Sequence, residues 1–165
     1  MGAQAPKFFF PDSQLLRGDN YVAWKPKIKV LLEFEDLWTV VDGQTTRSLD
    51  DGRQQVQFDR VNQKAKLIIL FIITDDVQPH IRYATSAKDA WDKLSTVYEE
   101  KNKNVILNLL SQLHTLKFKH NEQVEVFLRR VATLRESLLA LGKEISDEDL
   151  VPIVLRALPP PIESL

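Results

Sequence analysis

The side chains best suited to chemistry in this chain are three histidines, His80, His114 and His120, and a carboxylate pair, Asp75 and Asp76, just before the first of them. An imidazole titrates near neutral pH and can act as a base or a metal ligand, and paired carboxylates can hold a hard cation. Their surroundings support neither use. The histidines lie on different segments, and no HExxH, Walker loop, Gly-rich dinucleotide turn or nucleophile elbow surrounds any of them. Asp75 and Asp76 have no further ligand nearby in sequence and, with Pro79, read as a solvated turn. Without cysteine, disulfides, a thiol nucleophile and any Cys-based zinc site are excluded. A Ser-His-Asp triad would have to be assembled by folding alone. The expectation is no enzyme, no cofactor and no metal.

Composition sets the remaining bounds. With 165 residues the chain makes one domain or two small ones, enough to bury about 70% of its unfolded surface. Lys and Arg number 22 against 23 Asp and Glu, and the first 85 residues hold 11 of each sign. Such even mixing argues against a chain-wide basic field for nucleic acid or an anionic membrane. The start, Met1 to Pro6, lacks the basic and apolar blocks of a signal peptide, so secretion is not expected. Phe8, Phe9, Phe10 and Pro11 read as a short apolar clasp on the first helix, far too short for a membrane anchor.

The elements that must position everything else are helices. The central one spans His120 to Gly142, where Val124, Phe127, Val131, Leu134, Leu138 and Leu141 step by three or four and share a face. Asn121 is its expected N-cap, Gly142 its left-handed end, and Glu125 can meet Arg129 across one turn. Earlier in the chain, Asn20 is placed to cap a helix burying Tyr21, Trp24, Ile28, Leu31, Phe34 and Trp38, with Pro26 forcing a kink or a later start. A loop follows from Asp42 to Arg53. Val56, Val61, Ala65, Ile68 and Ile72 then keep helical spacing into Leu67–Ile73, an apolar run read as a helix buried on all faces. Ser86 and Asp89 open another helix, with Ala87, Trp91, Leu94 and Tyr98 inward, ending near Glu100. Lys101 to Asn104 is a polar break and the best domain boundary. Ile106 to Leu116 forms the next helix, and Ser146 caps a last one carrying Leu150, Val151, Val154, Leu155 and Leu158 before Pro159 to Pro161. Six helices and no strand predict an all-α fold, with Trp24, Trp91, Leu94, Val131 and Leu138 among its core residues.

The order of several short segments is a further signal. LRGDNYVAW from Leu16, DLWTVVDG from Asp36, SAKDAWDKLSTVYE from Ser86, the amphipathic stretch Leu107–Phe118, EQVEVFLRRVATLRESLLALG from Glu122, ISDEDLV from Ile145 and Leu158-Pro159 follow one another with spacing that resembles the Gag polyprotein of copia-type LTR retrotransposons. The resemblance covers nearly the whole chain. It implies a structural capsid protein that self-associates into a virus-like shell around the element's RNA, in intracellular, cytoplasmic particles. It also implies two small helical lobes like the N- and C-terminal domains of retroviral capsids, here residues 1–100 and 101–165, the second truncated relative to its kin. The central helix resembles their major homology region, with Gln123, Glu125, Phe127 and Arg130 as its markers, although the glycine usual near its start is missing. The family's Cys-His zinc knuckle is absent, so the RNA partner is expected to be held by a region outside this chain.

By the same resemblance, the helix from Ser146 to Leu158 occupies the place of a dimer helix. Ile153 and Arg156, on the side away from Leu150, Val154 and Leu158, are the expected contacts between copies. The equal alternative is that both only pack on neighbouring helices or face water. A second functional reading is a host-adopted Gag-like domain serving as a peptide-binding or adaptor module, which would carry an apolar groove between helices and stay monomeric.

Overall fold

A computed structural model of the chain describes residues 10–159. Six α-helices run in order: α1 Tyr21–Phe34, α2 Trp38–Val41, α3 Gly52–Phe71, α4 Ala87–His114, α5 Val124–Ala140 and α6 Asp147–Ala157. Among the described residues there is no strand. A single parallel bridge joins Leu16 to Ile73. The backbone packs into two compact units, Met1–Glu99 and Glu100–Leu165.

In the first unit, aromatic residues of α1 and α4 form the core. Trp24 and Trp91 stack with ring centroids 5.6 Å apart, Tyr21 and Tyr98 at 5.3 Å, and Trp38 meets Trp91 edge-on at 5.3 Å. Trp24, Trp91 and Leu94 are buried, as are Leu32, Ile68, Ile69 and Ile72. A buried indole must find an acceptor. Trp24 Nε1 donates to the Ile72 carbonyl at 3.1 Å, and the same oxygen accepts the Leu16 N–H at 2.8 Å. One carbonyl at the end of α3 thereby ties down both α1 and the segment before it. Phe10 packs on this core, while Phe8 and Phe9 lie outside the described residues.

Several local expectations change here. Pro26 does not delay α1, which runs unbroken from Tyr21. Asn20 stands at the N-cap without a capping bond; its side chain accepts from Arg17 N–H and donates to the Leu15 carbonyl, bracing the preceding turn. Phe34 is 83% exposed, and Trp38 belongs to α2. The cause is Asp36, whose φ of 57° ends α1: Asp36 N–H bonds the Glu33 carbonyl and Leu37 N–H that of Leu32. This Schellman ending turns the chain and buries Leu37 instead of Phe34. The apolar run of α3 is helical to Phe71, but only Ile68, Ile69, Ile72 and Ile73 are buried; Leu67, Leu70 and Phe71 are exposed, so it is not buried on all faces.

Asp51 caps α3, accepting from Arg53 and Gln54. Ser86 Oγ accepts the Asp89 N–H, and the Asp89 carboxylate accepts that of Thr85. Contrary to the expected break, α4 continues through Lys101–Asn104 as one 28-residue helix. Lys and Asn are polar but neither removes a backbone donor nor demands a positive φ, so helical spacing resumes at Val105 and Ile106. The residues of α4 up to Glu99 belong to the first unit and those from Glu100 to the second.

The second unit closes on two smaller clusters. Leu113, Leu138, Ile145 and Ile153 form one, and Phe127, Val131 and Ala157 the other. Gly142, at φ 79°, ends α5 as expected, with Gly142 N–H bonding Leu139 and Lys143 N–H bonding Leu138.

Candidate functional site

Of the groups considered for chemistry, Asp75 and His80 have local structural contacts, and His114 and His120 are exposed on separate segments. Asp75 accepts from Gln78 Nε2, and His80 lies edge-on to Tyr98 with centroids 6.2 Å apart. Burial, and then the charge of Asp76, push the Tyr98 hydroxyl above its ordinary pKa. No group of His, Asp and Glu residues that could hold a metal is present among the described residues, and no helix is long and apolar enough to cross a membrane.

The most organised polar structure of the second unit lies at the entry to α5. Residues Lys119 to Glu122 form a turn closed by Glu122 N–H on the Lys119 carbonyl, with Asn121 at φ 63°. Asn tolerates that conformation, which a β-turn needs at its third residue when φ is positive there. Asn121 is therefore the turn residue, and Gln123 takes the N-cap position of α5, without a side-chain cap bond.

The turn carries Glu122 back toward α5. Arg130 Nη1 reaches both of its carboxylate oxygens, at 2.8 and 2.9 Å, while Lys119 N–H donates to Oε2 at 2.9 Å. The backbone donor first, then Arg130, hold the Glu122 carboxyl below the usual carboxylate range. The expected Glu125–Arg129 pair does not form among the described residues; the ion pair at the entry to α5 is Glu122–Arg130, with the Glu122 side chain mostly covered. Phe118 completes the joint: its ring lies 5.3 Å from that of Phe127, and its N–H donates to the Ala157 carbonyl at the end of α6.

Of the four markers in the central helix, Phe127 is fully buried, Arg130 is half-buried in the clasp, and Gln123 and Glu125 are exposed. Val131 and Leu138 are buried on the same face as Phe127. Glu122, Lys119 and Phe118 were missed by sequence reasoning. An eight-residue separation between Glu122 and Arg130 is not a helical spacing, and only the turn at Asn121 brings the two together.

Farther along, Arg135 fastens the next loop, donating to the Ile145 carbonyl at 3.1 Å and pairing with Asp147 at 2.8 Å. Ser146 caps α6 as expected, accepting Asp149 N–H. The inward face of α6 is Ile153 and Ala157, with Leu150 and Val154 partly covered. Ile153, the expected contact between copies, packs on Leu113, Leu138 and Ile145 of its own chain and is 9% exposed. Arg156 is exposed. The outward face instead shows Val151 at 53% and Leu155 at 63% exposure, one turn apart. On α5, Val124, Leu128 and Leu139 are also exposed. A shallow cleft of about 480 Å³ runs beside α6, lined by Leu110, Ile145, Pro152 and Ile153, with His114, Lys143, Glu148 and Arg156 around it.

Comparison with known proteins adds an independent line. The family model described as gag-polypeptide of LTR copia-type matches residues 28–164. The chain is 28% identical over 153 residues to the retrovirus-related Pol polyprotein from transposon RE1 of Arabidopsis thaliana, covering 87% of the chain and 10% of that protein. It is 26% identical over 149 residues to the corresponding polyprotein from transposon TNT 1-94 of Nicotiana tabacum, covering 90% of the chain and 11% of that protein. The chain thus spans about a tenth of the length of these curated relatives. No solved structure gives a significant match.

Proposed function

We propose, from the premise that this chain belongs to the gag-polypeptide family of LTR copia-type elements, that it is a structural, capsid-forming part of a Gag polyprotein. Its two units act as the N- and C-terminal lobes of a capsid subunit, copies associate into a shell in the cytoplasm, and the shell encloses element RNA held by segments outside this chain.

The observation that carries this reading is the outward face of α6. Glu148, Val151, Pro152 and Leu155 recur at three- and four-residue spacing, so they share one side of the helix, with Arg156 on its flank. The helix begins with Asp147, Glu148 and Asp149 and ends with Arg156. Two copies laid antiparallel across Val151 and Leu155 would set the acidic end of each against Arg156 of the other, the self-complementarity that a two-fold contact requires. A face this small supports a weak contact, and a shell needs weak contacts repeated many times.

Size exclusion with light scattering over a concentration and salt series tests the reading. The chain should grow from monomer to dimer or larger species with concentration. Val151→Asp with Leu155→Asp should weaken that association about tenfold or more, roughly 1.4 kcal/mol, with unchanged helix content. A double variant that assembles like the parent sinks the α6 face. A parent that stays strictly monomeric at high concentration sinks self-association through this chain and favours the adaptor reading.

A further inference from the structure

The even mixing of charge along the chain is broken in one place. From Lys101 to Asn121 the sequence holds four lysines, two histidines and no carboxylate. This run forms the second half of α4 and the start of the turn before α5, and beside it lies a cleft of about 350 Å³ lined by Gln112, Val126, Arg129, Arg130, Thr133 and Leu134. Two guanidiniums, an amide and a hydroxyl line it, and no carboxylate does. Arg129 has no side-chain hydrogen bond or ion pair among the described residues. Arg130 bonds Glu122 and the Lys117 carbonyl through Nη1 alone, so its Nε and Nη2 have no bond among the described residues. The Glu122 side chain is only 7% exposed, so it positions Arg130 while offering little negative charge to solvent. Lys117 and Lys119, on either side of the Phe118 that packs on Phe127, are exposed and extend the cationic surface past Arg130. Glu125 and Glu136 stand roughly a quarter turn round α5 from the centre of the lining face, and neither pairs with an arginine among the described residues.

From this we infer that the cleft between α4 and α5 binds single-stranded RNA, with backbone phosphates on Arg129, Arg130, Lys117 and Lys119 and a base laid on the aliphatic floor of Val126 and Leu134. Phosphates recur along a strand, and several cations in a row with no exposed carboxylate among them match that repeat. An acidic peptide fits less well, because peptide sites draw affinity from apolar anchors seated in mostly apolar pockets, and two aliphatic side chains supply little of that. A duplex keeps its bases stacked inside and would leave the floor unused, whereas a single strand can turn a base onto the floor or onto a guanidinium plane. The polyanion chemistry rests on the cleft, and its identity as RNA rests on the Gag reading. That reading puts the RNA on segments outside this chain, and the cleft adds a contact of the chain's own. No residue of α6 lines it, so it stands apart from the self-association face.

The test is a titration of the ¹⁵N-labelled full chain, at a concentration where light scattering reports monomer. Three probes of equal length are compared: a single-stranded uridine dodecanucleotide, the same strand paired with its complement, and dodecaglutamate. The single strand should shift the amides of Gln112, Lys117, Lys119, Arg129, Arg130 and Thr133, and it should bind more tightly than the other two. Three or four phosphate contacts at about 0.7 each should give log Kd against log salt a slope of about 2 to 3. Arg129→Glu with Lys117→Glu should weaken the single strand about tenfold or more and lower that slope by about 1.4, with unchanged helix content and unchanged self-association. Val151→Asp with Leu155→Asp should leave RNA binding as in the parent, so the cleft and the assembly face fail separately. Absence of shifts at these amides with about 1 mM single strand in about 50 mM salt overturns the inference. So does equal binding of dodecaglutamate or of the duplex, or indifference to Arg129→Glu with Lys117→Glu.

Discussion

The two units solve the same problem, a helical core in a short chain, to different degrees. Residues 10–99 bury more than twice as many apolar side chains as the large ones they leave exposed, in one continuous cluster with an aromatic stack at its centre. Residues 100–159 leave more large apolar side chains exposed than they bury, and their interior is split into two small groups. A fold that covers its own apolar surface has little left to offer. One that does not must be held by specific local joints and keeps faces for partners. The second unit shows both consequences: the Glu122–Arg130 clasp, the Arg135 fastening and the Phe118–Ala157 bond fix its loops, while Val151, Leu155, Leu128 and Val124 remain uncovered.

Because the two cores differ in this way, a single large cavity should have unequal effects. Phe127→Ala removes the largest fully buried side chain of the second unit and should cost about 3–5 kcal/mol. Hydrogen exchange should then show α5 and α6 losing protection while α1 and α3 keep theirs. Leu94→Ala, of similar class in the first unit, should cost about 2–5 kcal/mol and lower the stability of that unit without dissolving it. Equal loss of protection in both units after either change would remove the distinction.

A smaller effect tests the joints. The Glu122 carboxyl is held below its ordinary value by Lys119 N–H and Arg130, so its contribution is present above the unfolded carboxyl pKa of about 4.3 and disappears as pH falls through the lower folded value. Urea midpoints for the second unit should therefore rise from strongly acidic pH to about pH 5 and level off. Glu122→Gln should flatten part of that rise. In the first unit, Asp89 is depressed in the same direction by Lys93, and then by the Thr85 N–H, so its acid loss should survive the Glu122 change.

The smallest effect sharpens the comparison at one shared motif. Both α1 and α5 end in a Schellman turn, one with Asp36 and the other with Gly142 at the left-handed position. Asp36→Gly should stabilise the first unit by about 0.5 kcal/mol, and Gly142→Ala should destabilise the second by about 1 kcal/mol. Thermal melts of the two variants measure both, and a sign change in either would mean that φ does not decide these ends.

Much of this was legible in residue order. Spacing of apolar residues located α1, α3, α5 and α6 and both halves of α4, but not the short α2; Ser86, Ser146 and Gly142 marked their own ends correctly, because capping and left-handed termination depend on residues only a few positions apart. Asn20 and Asn121 misled for a related reason: an asparagine side chain serves a turn as readily as a helix start, and the neighbouring backbone selects between them. Lys101–Asn104 was mistaken for a break because polarity marks exposure, and an exposed helix is as polar as a loop.

Local sequence therefore determined that this chain is all helical, where most helices begin and end, and which residues, such as Trp24, Trp91 and Phe127, are inward. Periodicity shows which side of a helix is apolar, and that follows from 3.6 residues per turn. Only the tertiary structure decided that Ile153 is covered while Val151 and Leu155 are not, and that Arg130 meets Glu122 rather than Arg129 meeting Glu125. Those outcomes depend on how wide a stripe the neighbouring helices can cover and on where a turn eight residues away delivers its carboxylate, distances set by folded packing rather than by spacing along the chain.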